Sequence, residues 1–466
     1  MRIIVTVLLI FTFLSSYSQE ILDNYIRVGL ESNLALQQKL KNIEKGKWEK
    51  REALGLFMPD LSFNARYTRA KGGRTIEIPA GDMMNGVYYS LHEITQFMYD
   101  NGLTQMVFPD TSIDNQTINF LREKEHETKL RLIQPIFNPQ IYYNYKITKQ
   151  FGNVYSSLAD TTKRGLVAEI KKTYASYVML HDMIDLINRT DGILSKDIIK
   201  NEALVDNDAL TVDLLYQLRA ERQSLLVQKS EAERYMENVR LYFNFLLNRS
   251  FDERVEIDKS FLLSLAETDR DVLVNSALSN RAELQLLNIQ HDMLTYSGRL
   301  YRTNNLPNAF AVVDYGFQGE EYEFTDDADF LMASFVVQWD LFKGFQNHSK
   351  VQQALIDQDV TEKRIEEVKR MIELQVLSDL QEYLASVEIR DISKKRYDNA
   401  TKAFEMAGIR YEEDRLNLSF FQQYFQALSS KVEAEQKYIE SRYNLYMKLT
   451  ELEKSSALYP LHDEED

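Results

Sequence analysis

The chain has 466 residues, no cysteine, and a net charge of −16 from 71 acidic against 55 basic side chains. That charge argues against nucleic acid as a partner, and the missing thiols exclude a disulfide framework. After Ser18 no apolar run reaches the ~18 residues of a spanning helix, so any membrane crossing falls to strands closed into a barrel.

Met1 to Ser18 reads as a cleaved secretory signal. Arg2 gives the charged start, Ile3 to Leu14 the apolar core, and Ser16-Tyr17-Ser18 the small-x-small pattern. The core is about 12 residues, too short to span a bilayer. The expected mature chain begins near Gln19, is exported, and carries no lipid anchor at a leading cysteine. The 7 prolines stand at 59, 79, 109, 135, 139, 307 and 460, which leaves 140–306 and 308–459 open to long helices.

Residues 19–269 form the first of two expected repeats. Leu22, Ile26, Leu30, Leu34, Leu40 and Ile43 follow helical spacing over Ile21 to Phe57, and Pro59 closes the helix. Over 61–68, Leu61, Phe63, Ala65 and Tyr67 alternate with Ser62, Asn64, Arg66 and Thr68, which predicts a strand with one apolar face. Residues 69–126 carry the turn clusters Lys71-Gly72-Gly73-Arg74, Pro79-Ala80-Gly81-Asp82 and Pro109-Asp110-Thr111-Ser112. They read as a long loop with a short helix near Tyr89–Tyr99. A second strand is expected over 128–136, with Thr128, Leu130 and Leu132 facing away from Lys129 and Arg131. A long helix follows over 140–204, where Val167, Ile170, Tyr174 and Tyr177 give the 3-4-3 spacing of a coiled-coil seam. Val205-Asp206-Asn207-Asp208 breaks it. A return helix over 210–247 and a connector over 250–269, with a short strand at Arg254–Ile257, complete the repeat.

The second repeat, 270–466, runs through the same series: a helix over 271–301, a strand over 308–317, a loop over 319–329, a strand over 330–340, a long helix over 345–408, a return helix over 416–452 and an acidic tail. The strands carry Ala309, Ala311, Val313, Tyr315 and Phe317, then Leu331, Ala333, Phe335, Val337 and Trp339, on their apolar faces. Between the last two helices lies an acidic turn, Tyr411-Glu412-Glu413-Asp414-Arg415. Leu30 aligns with Leu278, Met58-Pro59 with Leu306-Pro307, Ile136-Phe137 with Leu341-Phe342, and Asp208-Ala209-Leu210 with Asp414-Arg415-Leu416. Identities are few, so the shared order of elements carries the duplication. Each long helix is a rod of ~100 Å at 1.5 Å per residue. The return helix and the short helix together match its length. Four strands per chain cannot close a barrel, and lipid does not tolerate an open edge, so membrane strands require several chains.

The sequence resembles the TolC family of outer-membrane efflux proteins. Gly55-Leu56-Phe57-Met58-Pro59-Asp60-Leu61-Ser62-Phe63, Gln134-Pro135-Ile136-Phe137-Asn138 and Trp339-Asp340-Leu341-Phe342-Lys343-Gly344 carry the resemblance, with the signal and the duplicated mature part. It implies a fold that is mainly α with transmembrane β: a homotrimer with a twelve-stranded barrel in the outer membrane of a Gram-negative bacterium. A helical barrel continues it across the periplasm, ringed by a mixed belt that here includes 250–269 and the C-terminal end. It implies export of small molecules or proteins with a periplasmic adaptor (a membrane fusion protein) and an inner-membrane transporter. The chain departs from the family in its long first loop, and Asp208 and Asp414 stand where the family's tips carry glycine.

Three sets of candidate site residues follow. The expected lipid face of the barrel is Leu61, Phe63, Tyr67, Leu130, Leu132, Tyr315, Phe317, Phe335, Val337 and Trp339, whose aromatics suit an interfacial belt. In a trimer, Asp206, Asp208, Asp213, Glu412, Glu413 and Asp414 would form carboxylate rings at a periplasmic gate. Ala209, Leu210, Arg415 and Leu416 are candidates for docking an adaptor hairpin. No HExxH, GxGxxG, P-loop or GxSxG occurs, and His181-Asp182 lacks a second histidine at i+4, so no enzyme, cofactor or metal is expected. The competing class is a soluble periplasmic coiled-coil adaptor or scaffold, which would need no detergent for extraction.

Overall fold

The computed structural model describes residues 20–207, 211–259 and 268–458. The expected signal, Asp208, Ala209, Leu210 and the end of the acidic tail lie outside the described residues. The helices and strands run α1 Glu20–Ser32, α2 Leu34–Gly55, β1 Asp60–Arg69, β2 Thr75–Ile78, α3 Ala80–Asp100, β3 Gln116–Asn119, β4 Lys124–Phe137, α4 Pro139–Asp206 and α5 Val212–Leu246. They continue with α6 Arg270–Asn280, α7 Ala282–Thr303, β5 Asn308–Gly319, β6 Asp329–Gln338, α8 Gln346–Glu413 and α9 Leu418–Ser456. Apart from the β2–α3–β3 insertion, one order of elements occurs twice. The two rods α4 and α8 have the same length, 68 residues. No described helix is long and apolar enough to cross a membrane.

The chain divides into two compact units, and both draw on both halves of the sequence. One holds the described residues of Met1–Glu52, Tyr143–Arg299 and His348–Asp466; the other holds Ala53–Tyr142 and Leu300–Asn347.

The first unit is helical. Its larger core gathers Ile26, Leu36, Val167, Ile170, Tyr174 and Phe243 with residues of α8 and α9 such as Val376 and Tyr443. Two expected single helices are broken. Asn33 interrupts the first: its side-chain oxygen accepts from the Leu36 amide at 3.0 Å and so caps α2, while its side-chain amide donates to the Leu246 carbonyl at 2.8 Å. Arg281 breaks α6 from α7 at the matching place in the second half. The strand expected at Arg254–Ile257 does not form. Its backbone is engaged by two buried tyrosines instead. The Glu256 amide donates to the Tyr25 hydroxyl at 3.0 Å, and Tyr174 both donates to the Glu256 carbonyl at 3.1 Å and accepts from the Asp258 amide at 2.8 Å. Burial pushes the Tyr174 hydroxyl up to about 12, so it remains a donor.

The second unit is a four-stranded antiparallel sheet in the order β1-β4-β5-β6, with a two-stranded ribbon β2-β3. The ladder shifts register between Pro135 and Phe137, where proline has no amide to contribute. Gly316 meets β4 so closely that a Cβ there would lie 2.2 Å from the Thr128 carbonyl oxygen. The expected loop 69–126 is instead the ribbon β2-β3 and a 21-residue helix, α3. The turn clusters lie at its ends: Pro79 stands at the N-cap of α3, and Pro109 follows it. The expected ending of the second rod near Gly408 also moves. α8 passes through Gly408 to Glu413, because one glycine costs a helix only ~1 kcal/mol.

Candidate functional site

The sheet brings the expected lipid-face residues together. In the ladders Leu61 pairs with Leu132, Phe63 with Leu130, Leu130 with Tyr315, Leu132 with Val313, and Thr128 with Phe317. On the far strand Ala311 pairs with Phe335, Tyr315 with Leu331 and Ala309 with Val337. Directly opposed residues share a face, so these side chains form one apolar surface across all four strands. Leu61, Phe63, Tyr67, Leu130, Tyr315, Phe335 and Val337 are exposed. Leu132 is half-buried, and so is Phe317, which stands edge-on to Phe324 at 5.2 Å. Trp339 lies past the end of β6, and its indole N–H donates to the Asn305 carbonyl at 3.0 Å.

The opposite face carries charge. Arg131 grips Asp314 with two bonds of 2.7 Å, Lys129 lies 2.5 Å from Glu127 and 3.6 Å from Asp314, and Arg66 lies 3.4 Å from Glu127. Asp314 is fully buried beneath these cations. Towards the β5 start this face turns apolar, with Ile133 opposite Val312 and Phe310 opposite Val336.

The acidic residues of the helical unit have different environments. Asp206 is the last residue of α4, and Asp213 is in the first turn of α5. A hydrogen bond from Thr211 holds the Asp213 carboxyl below the usual range. Tyr411, Glu412 and Glu413 belong to α8, so the turn of the second hairpin is 414–417. None of these turn residues has a positive φ, and Asp414 therefore fits without glycine. Glu412 is paired: Lys200 reaches it at 2.8 Å, and Arg415 also binds it. That engages Arg415, while Leu416 remains exposed. Asp208, Ala209 and Leu210 lie outside the described residues.

Sequence reasoning missed the polar contacts that tie α4 to α8 and α9. Tyr411 is buried and donates to Asn201 at 3.2 Å; Tyr424 donates to Asp197 at 2.7 Å; Tyr443 donates to Asp182 at 2.7 Å. Burial raises the Asp197 carboxyl above the usual range, against the lowering effect of the Tyr424 bond. The signal was present in α4: Asp182, Leu186, Thr190, Leu194, Asp197 and Asn201 follow at threes and fours and are all buried. His181, Asp182 and Asp185 also cluster, but Asp182 is held by Tyr443 and Lys259 and His181 lies 3.4 Å from Asp185, which describes an ion-paired helix face.

No protein-family model matches the sequence, and no curated protein does. Solved structures do match. The Campylobacter jejuni CmeC outer membrane channel is 14% identical, with a TM-score of 0.73 over 94% of this chain and 85% of that one. The Vibrio cholerae outer membrane protein VceC is 12% identical, with a TM-score of 0.72 over 95% and 98%. The open state of the Neisseria gonorrhoeae MtrE outer membrane channel is 14% identical, with a TM-score of 0.73 over 94% and 88%. The chain therefore has the TolC-like fold of these outer-membrane channels.

Proposed function

We propose that three copies of this chain form an exit duct in the outer membrane of a Gram-negative bacterium, extending into the periplasm. One observation carries the proposal: a four-stranded antiparallel sheet with an exposed apolar face running from one edge strand to the other. Neither β1 nor β6 has a second partner among the described residues. Open edges are not tolerated in hydrocarbon. Three sheets joined edge to edge give twelve strands, lipid outside and the Arg131–Asp314 network inside. The fold likeness to outer-membrane channels supports the same reading.

In this reading the chain does no covalent chemistry. It conducts small molecules or proteins, with a periplasmic adaptor and an inner-membrane transporter as partners. The helical hairpin turns form the gate. Glu412 closes ion pairs there, and Asp206, Asp208, Asp213, Glu413 and Asp414 supply the carboxylate rings. Leu416, with the exposed Val212 and Tyr216 beside Asp213, supplies apolar surface for the adaptor, together with Ala209 and Leu210. Tyr411 and Tyr424 hold the two hairpins together until the adaptor binds.

Planar-bilayer recording of the detergent-extracted protein tests this. The expected result is a cation-selective conductance, with that selectivity reduced in Glu413→Gln/Asp414→Asn. A protein that stays in the periplasmic fraction without detergent and never conducts would overturn the proposal.

A further inference from the structure

The insertion between β1 and β4 carries a helix whose apolar side stays exposed among the described residues. On α3, Met84, Val87, Leu91, Ile94 and Met98 follow at intervals of three and four, the spacing of a coiled-coil seam. Each is at least 36% exposed. The neighbouring side of the helix is already occupied. Asn85 exchanges two hydrogen bonds with the Ile113 backbone at 2.9 and 2.8 Å. His92 lies 2.6 Å from the Phe108 carbonyl, and the Phe108 amide donates to Thr95 at 2.8 Å. Tyr88 stacks on the Phe108 ring at 5.8 Å. If Met84, Leu91 and Met98 are heptad positions a, and Val87 and Ile94 positions d, these contacts all fall at b and e. The chain thus clamps its following segment along one flank and leaves the seam open.

We propose that this seam binds the α3 helices of the other copies of the chain, so that three helices form a parallel coiled coil outside the barrel. The proposal rests on the trimer above and adds a contact to it. Three observations select a second copy over a membrane or another protein. First, the helix carries three charged residues, Asp82, Glu93 and Asp100, all acidic and all at positions c and f, farthest from the seam. Positions g hold Met83, Ser90 and Phe97, so identical helices meet with no like charges opposed. Secondly, no lysine or arginine is present to hold an anionic lipid surface. Thirdly, the central heptad places Leu91 at a and Ile94 at d, the pairing that shifts coiled coils from two strands towards three or four. A seam of only two heptads, Met84 to Met98, would be marginal alone, but helices joined to one barrel meet at high effective concentration.

The absence of cysteine from the chain allows single-site cross-linking. Leu91→Cys, Ile94→Cys and the position-c control Glu93→Cys are made in the full chain. Each is purified in detergent, sized by light scattering and treated with a short bismaleimide. The expected result is a trimeric particle in every case, with a covalent dimer band for the two seam variants and none for the control. A trimer in which the seam variants stay uncross-linked, or link no better than Glu93→Cys, overturns the coiled coil and leaves the duct standing. A monomer overturns the trimer and the coiled coil with it.

Discussion

Asp197 gives the helical unit a pH signature near the hairpin turn. Its carboxylate is buried, accepts from Tyr424 at 2.7 Å, and titrates above its ordinary range because burial penalises the charge. A raised carboxyl pKa means that the folded state holds the proton more tightly than the unfolded one. The stability it contributes is full below the unfolded pKa and is lost as pH rises through the folded pKa. Stability near the hairpin turn is therefore expected to fall as pH rises through that window. Asp197→Asn keeps an acceptor for Tyr424 and removes the titration. Hydrogen-exchange protection of the first α9 turns, followed against pH, should slope in the natural chain and run flat in the variant. An equal slope in both would place the titration elsewhere. The sequence showed that Asp197 lies on a seam but not what it meets. Its partner is 227 residues away, and only the packing of α9 on α4 sets which tyrosine faces which carboxylate. For the same reason the sequence placed Glu412 among the gate candidates without showing its pairing with Lys200.

At the scale of elements, strands were legible because alternation is a strict two-residue code. β1, β5 and β6 fall within two residues of their expected bounds. Long helices were legible because no proline interrupts them: Pro139 is the first residue of α4, where its missing amide costs nothing, and the rest of both rods has none. Breaks and caps were harder. Asn33 stops a helix through its own side-chain bonds, in a run with no proline and with the nearest glycine, Gly29, inside α1. α3 was read as about half its length because turn residues surround it and its seam of methionine, valine, leucine and isoleucine faces no core among the described residues. The close approach at Gly316 is similarly invisible in sequence. It gives a sharp prediction. Gly316→Ala sets a methyl against the Thr128 carbonyl and Lys129, which have no flexible end to move. The sheet should lose ~1–3 kcal/mol, the range for overpacked sites, seen as a lower temperature for the barrel's heat-induced mobility shift. Gly86→Ala, where nothing lies within 4 Å, should be neutral or slightly stabilising in the same assay, since alanine favours the helix by ~0.5–1 kcal/mol.

At the scale of the whole molecule, an exported barrel and a soluble scaffold make opposite demands on two adjacent residues. Phe63 and Asn64 are neighbours in β1 and point to opposite faces of the sheet. Phe63 is opposed by Leu130, and Asn64 by Lys129. If the apolar face meets hydrocarbon, Phe63→Arg places a cation in lipid at a cost of ~2–4 kcal/mol near the midplane. Each trimer would bear that cost three times over. The variant should fail to assemble, leaving monomer in the periplasmic fraction. Asn64→Arg places the same charge among Arg66, Lys129 and Glu127, on a face that already holds ion pairs. It should assemble normally and shift the reversal potential of the channel towards anions, because it adds three positive charges to the lumen. In a soluble scaffold neither effect arises: Phe63 is already exposed in the single chain, and an exposed phenylalanine accepts arginine at little cost. Equal assembly of the two variants would therefore refute the barrel. Failure of Phe63→Arg alone, with altered selectivity in Asn64→Arg, assigns one face to lipid and the other to the pore.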